Sequence, residues 1–134
     1  MKRSKLFFLM FGAAALLSAN VSAEGLDASQ PLSCDLTEVA QCDGPAKCRP
    51  VTFAQIDLPP VVQVNFVERQ ITSEDGQRTS PIASVETRDA VLLLQGHQDG
   101  RGWTLVIERA TGALSAALAD AEGGLMVTGA CMAD

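Results

Sequence analysis

The feature that most constrains this chain is a period-two alternation running from Gly102 to Ala119, GWTLVIERATGALSAALA. Trp103, Leu105 and Ile107 fall on one side of an extended chain, while Thr104, Val106 and Glu108 fall on the other. A half-buried strand requires that spacing, and a helix cannot use it. Arg109-Ala110-Thr111-Gly112 follows, and Gly112 can take the left-handed conformation of a type I turn with a bulge at no steric cost. The chain then returns through Leu114, Ala116 and Leu118. The stretch therefore predicts a hairpin. The alanines of 114–121 would also suit a helix, but their place after the Gly112 turn favours a strand.

The rest of the text reads the same way. Val51–Leu58 is strand-like and stops at Pro59-Pro60, which a central strand cannot pass through. Val61–Thr72 alternates at Val62, Val64 and Phe66 and ends at the Glu74-Asp75-Gly76 turn. Pro81 precedes a weaker strand, Ile82–Thr87. Asp89–Gln95 is apolar on both faces and belongs in the middle of a sheet. Gly96–Gly102 (GHQDGRG) reads as a glycine-rich loop, and Leu125–Cys131 as the last strand. Seven or eight short strands at regular spacing predict an all-β antiparallel meander, either a sandwich or, as the expectation adopted, a small barrel that is closed or nearly closed.

Four cysteines constrain how the meander folds back. Cys34, Cys42, Cys48 and Cys131 allow two disulfides in three connectivities. Asp43-Gly44-Pro45-Ala46 is turn chemistry, so Cys42 and Cys48 flank one tight turn and are expected to pair. Cys34 is then left for Cys131. Cys34, Leu36, Ala40 and Cys42 share one parity, and Cys131 shares its parity with Leu125 and Val127. A core-facing bond between first and last strands suits a sheet that curls until its ends meet. The Cys34-x7-Cys42-x5-Cys48 spacing lacks a zinc knuckle, and no C-x-x-C redox motif occurs.

The first 23 residues read as an export signal. Lys2, Arg3 and Lys5 precede the apolar run Leu6–Leu17, and Val21-Ser22-Ala23 fits cleavage after Ala23. The apolar run is about half the roughly 20 residues that a membrane span needs, so no stable membrane anchor is expected after cleavage. The domain plan is a signal at 1–23, a flexible tail at 24–31 and one β domain at 32–134. The expected location is periplasmic or secreted, which suits disulfides.

Three of the ten Lys/Arg and none of the sixteen Asp/Glu lie in the signal, so the remainder carries 7 − 16 = −9. That charge argues against nucleic acid and anionic lipid. The expected partner is a basic envelope or extracellular protein.

Catalytic and metal constellations are not found in the text. His97 is the only histidine. Beside Asp99 and Arg101 it could serve as a base, but nothing places Ser80, Ser84 or Ser115 near it. Neither Glu74-Asp75 nor Glu86 with Asp89 has the setting of a catalytic carboxylate pair. No dense run of oxygen ligands suggests calcium, and no cofactor is implied. His97, Asp99 and Arg101 stand instead as a candidate binding loop. Trp103, the only tryptophan, is expected in the core or in the wall of a ligand cavity.

The export signal, the clustered cysteines and W-T-L-V-I-E-R-A-T-G…G-A-C resemble a loose group of small uncharacterised exported β-rich proteins of Gram-negative bacteria. More distantly, the layout is similar to that of the periplasmic inhibitors of C-type lysozyme. Those are small acidic eight-stranded barrels with a disulfide from an early strand to the C-terminal one. Export, acidity and the missing catalytic constellation, rather than the resemblance, lead to the expectation of a non-enzymatic, inhibitor-like domain that binds a basic protein through its loops. The tyrosine-containing loop motifs of those inhibitors have no counterpart here, since the chain holds no tyrosine, so no functional residue carries over. The alternative function is a carrier holding a small apolar ligand in a barrel cavity.

Overall fold

The computed structural model describes residues 25–134; the expected signal and its cleavage point fall outside them. Nine strands follow in chain order: β1 (Leu32–Cys42), β2 (Cys48–Val51), β3 (Val61–Asn65), β4 (Gln70–Ser73), β5 (Thr79–Arg88), β6 (Val91–Gln98), β7 (Arg101–Glu108), β8 (Ala113–Asp120) and β9 (Gly123–Ala133). Consecutive strands from β3 to β9 pair antiparallel, and β1 pairs with both β3 and β9. Eight strands thus close a barrel, and β2 is a ninth that flanks the far half of β1. The all-β closed meander is as the alternation predicts.

β1 closes the barrel. Over Leu32–Cys42 it pairs with β9, while its other edge is shared between β3 at Leu32–Asp35 and β2 at Val39–Cys42. Cys34 lies directly opposite Cys131 and Cys42 directly opposite Cys48, and both pairs are disulfides, as the turn and parity arguments predict. The shared parity of Cys34 and Cys42 does not survive. A bulge between Leu36 and Glu38 shifts the phase of β1, so that Val39 turns into the core and Cys42 lies on the outer side with Ala40.

Leu32, Cys34, Val64, Leu92, Leu94, Ile107, Leu114, Val127 and Cys131 fill the interior, each at most 6 % exposed. Burying one such Leu, Ile or Val side chain contributes about 1.5–3 kcal/mol, so the interior strands are held mainly by this contact set. The β7–β8 hairpin turns at Gly112, whose φ is +79°, and a side chain there would collide with the Cys131 carbonyl oxygen.

Three expected strand boundaries are corrected. Val51–Leu58 is not a strand: β2 ends at Val51 and the chain coils through 52–60. Thr52 and Gln55 exchange side-chain-to-backbone bonds at 2.8 and 3.2 Å, which holds the backbone out of a ladder. Val61–Thr72 is two strands, because Asn65 Oδ1 accepts the Glu68 amide at 2.9 Å and Arg69 takes φ +55°, turning the chain at Phe66–Arg69. The loop expected over Gly96–Gly102 shrinks to the turn Asp99-Gly100, whose φ values of +53° and +78° match the twist of a two-residue hairpin.

β5 changes partners midway. Thr79–Pro81 pairs with β4 alone and Ile82–Arg88 with β6 alone, the register shifting between Ile82 and Ser84. Pro81, which cannot donate, sits where β6 makes no ladder with β5. The expected tail is tied at Leu26, whose amide donates to the Arg109 carbonyl at 2.9 Å and whose carbonyl accepts Arg109 Nε at 2.9 Å. Leu26 also packs against the core at this end of the barrel.

Candidate binding surface

The turns β1–β2, β4–β5, β6–β7 and β8–β9 and the 52–60 coil all gather at the end of the barrel opposite Leu26. Two concavities open there. The first, about 530 Å³, is the barrel mouth between Gln41, Arg49, Ile56, Leu118, Asp120, Glu122 and Leu125. The second, about 590 Å³, is a groove along Phe53, Leu58, Pro59 and Pro60, bounded by Asp57, Glu74, Asp75 and Arg78. The 52–60 coil is the partition: Gln55 and Ile56 line the mouth, and Phe53, Ala54 and Asp57–Pro60 line the groove. The coil lies there because Phe53, Ile56 and Leu58 pack on the core and Arg78 pairs with Asp57 at 2.6 Å.

The rim is charged and locally braced. Arg49 pairs with Asp43 at 3.1 Å and Arg101 with Asp120 at 3.4 Å. Amide donation from Glu122 at 2.8 Å, joined by the Gly123 amide and Arg101, holds the Asp120 carboxyl below the usual aspartate range. On the groove side the Ser73 hydroxyl donates to Asp75 Oδ1 at 2.6 Å. With the Gln77 amide and Arg78, it holds Asp75 low as well. Glu74 and Glu122 stay exposed beside them. The arrangement can accept a cationic side chain at its rim and an aliphatic one on its floor.

The residues singled out from the sequence are spread apart. Arg101 points into the mouth, since it shares a face with Trp103, Leu105 and Ile107. His97 pairs with Gly102 on the outer face, and Asp99 occupies the turn between them. They form no single loop. Ser80 lies on the inner side of β5, away from His97, where its Oγ accepts the Trp103 indole N–H at 3.0 Å. Trp103 is half-buried and packs against the core. Among the described residues, no group of three His, Cys, Asp or Glu side chains is placed to hold a metal ion.

Sequence reasoning missed the 52–60 coil and the Asp120–Glu122 corner. The signals were present in Thr52-x-x-Gln55, where side chains compete for the backbone, and in the doubled proline that stops it. No family model, curated protein or solved structure matches the chain.

Proposed function

We propose that this chain is an exported, non-enzymatic binding domain that holds a basic protein at the open end of its barrel, in the manner of an inhibitor. One observation carries the reading: two adjoining concavities, a mostly polar mouth and a mostly apolar groove, share one coil, and the acidic Asp43, Asp57, Glu74, Asp75, Asp120 and Glu122 around them outnumber Arg49, Arg78 and Arg101. A lysine or arginine of a partner loop fits such a rim, its alkyl stem on Leu118 or Leu58 and its charge among the carboxylates. Two disulfides, with none of the described cysteines free, suit an oxidising compartment. The basic start, apolar run and Val21-Ser22-Ala23 site support delivery there with cleavage after Ala23. The early-to-last-strand disulfide supports the likeness in layout to the lysozyme inhibitors. The filled interior gives the apolar-carrier reading no support.

The test is a pair of columns, one carrying the oxidised chain from Glu24 and one carrying its Asp57→Asn/Glu74→Gln/Glu122→Gln variant. Envelope extract and a basic C-type lysozyme are passed over both at low and moderate salt. A protein kept at moderate salt by the first column and lost from the second supports the reading. Equal retention by both, or none by either, removes it.

A further inference from the structure

We propose that the free edge of β5 over Ala83–Arg88 docks an extended peptide segment of another protein, which completes the barrel wall there as an added antiparallel strand. The Asp99-Gly100 turn makes Gln98 and Arg101 a hydrogen-bonded pair, and bonded and non-bonded pairs alternate along an antiparallel ladder. Gly96, Leu94 and Leu92 therefore bond to β7, which leaves Gln95, Leu93 and Val91 to bond to Ser84, Glu86 and Arg88 of β5. The Asp89-Ala90 turn between Arg88 and Val91 sets the same phase. The amide and carbonyl groups of Val85 and Thr87 thus point away from β6, toward a side on which no described strand pairs with them.

The side chains mark the same gap. Directly opposed residues share a face, so Val85 stands with Leu94 and Thr87 with Leu92 on the interior side. Leu92 and Leu94 are fully buried, yet one strand over Val85 is only half-buried and Thr87 is exposed. Interior-facing residues lose their cover in this way where the wall beside them lacks a strand.

These observations name the occupant. Open amides and carbonyls at strand spacing are matched by another extended backbone, and not by a globular surface. The β4–β5 ladder runs to Gln70 and Pro81, and the Ile82 amide then donates to the Arg69 carbonyl at 2.9 Å. A strand added in line with β4 runs antiparallel to β5 and ends against the Phe66–Arg69 turn, where Val67 is 91 % exposed. Occupant residues opposite Val85 and Thr87 both bond to β5 and face inward, so apolar β-branched side chains there cover the open interior. Those between them face outward beside Glu86 and Arg88, which pair with each other at 3.0 Å and leave no charge to match. The occupant is therefore an extended segment that alternates apolar with uncharged polar residues.

The edge runs toward the Leu26 end of the barrel, and the proposal is independent of partner binding at the mouth. Amide hydrogen exchange of the oxidised chain from Glu24 tests it, with a short peptide of alternating valine and threonine and no net charge, at up to about 1 mM. The amides of Val85 and Thr87 should exchange quickly in the free chain and slow about tenfold or more with peptide. N-methylation of the peptide's valines removes the donors that face β5 and should abolish this protection. N-methylation of its threonines, whose amides face away, should leave it. Thr87→Pro removes an amide that the β5–β6 ladder does not use, so the variant should fold and fail to take up the peptide. Slow exchange of both amides before peptide is added would mean that a second copy or another part of the chain covers the edge, and overturns the proposal. No protection at about 1 mM peptide, equal effects of the two N-methylated peptides, or uptake by folded Thr87→Pro also overturns it.

Discussion

Trp103 and Gly96 are direct cross-strand partners on β7 and β6, and the indole occupies the place where a side chain at Gly96 would stand. A Cβ on Gly96 would collide with the ring and would lie 2.6 Å from the Pro81 carbonyl oxygen. From this position the indole reaches Ser80 on β5, spanning the stretch where β5 and β6 make no ladder. Gly96→Ala should therefore push the ring off β6 and cost about 1–3 kcal/mol, as overpacking does. Ser80→Ala should cost about 1 kcal/mol for the lost bond. Urea denaturation followed by Trp103 emission checks both; unchanged emission and stability in Gly96→Ala would contradict the packing described.

Arg109 is the second fastening. Its side chain donates to the Leu26 carbonyl at 2.9 Å and to the Asp89 carbonyl at 3.0 Å, and its amide donates to Ala90 at 2.8 Å. Arg109→Ala should destabilise by about 1.5–3 kcal/mol and release residues 25–31, making them the first site of limited proteolysis. Cleavage elsewhere first would show that Arg109 does not hold this segment.

The two disulfides should separate under mild reductant. Cys48 is exposed, while Cys34 is fully buried and Cys131 nearly so. Cys42–Cys48 is expected to open first, with Cys34–Cys131 persisting until the barrel unfolds. With sequence separations of 6 and 97, the loop-entropy account gives about 2 kcal/mol for the short bridge and about 4.7 kcal/mol for the long one. Alkylation mapping during a reductant titration gives the order.

Acid should expose the braced carboxylates. Asp75 and Asp120 are both held below the ordinary aspartate range, chiefly by the Ser73 hydroxyl and the Glu122 amide respectively. A group whose folded value is lowered contributes stability above its unfolded value and loses it as pH falls through the folded one. The melting temperature should therefore fall from about pH 4 downward, and Asp120→Asn should flatten part of that fall. A wild-type acid limb matched by Asp120→Asn would remove Asp120 from the account.

Below Ile82, the β5 edge that faces away from β6 has no strand beside it among the described residues. In Ala83–Arg88, alternate amides should exchange with deuterium quickly, while those of Leu92 and Leu94, flanked by strands on both sides, should be slow. Uniform slow exchange along Ala83–Arg88 would mean that this edge is covered.

The sequence carried the fold further than the site, for a physical reason. Trp103–Ile107 and Leu114–Leu118 alternate because one face is buried, and burial writes itself into residue type. Gly112 and Asp43-Gly44-Pro45 could be read because backbone conformations select residues. The 52–60 coil alternates too, yet two side chains bonding to the backbone outweigh the strand pattern. The reversal at Asn65–Arg69 rests on one Asx turn inside an apolar run. The bulge at Leu36–Glu38 has no composition of its own, and it alone turns Cys42 outward. The mouth joins Asp43, Arg101 and Asp120 from three distant parts of the chain, and only the register of the closed sheet brings them together.

The pairing of β1 with β9 along its length has a consequence for how the molecule comes into being. A chain made N-terminus first presents β1 before every other described strand and its main partner, β9, after all of them. Until Gly123–Ala133 emerges, one long edge has nothing to hold, and the Cys34 thiol has no Cys131 to meet. Closure of the barrel therefore waits on the last of its strands, whichever others have paired before it.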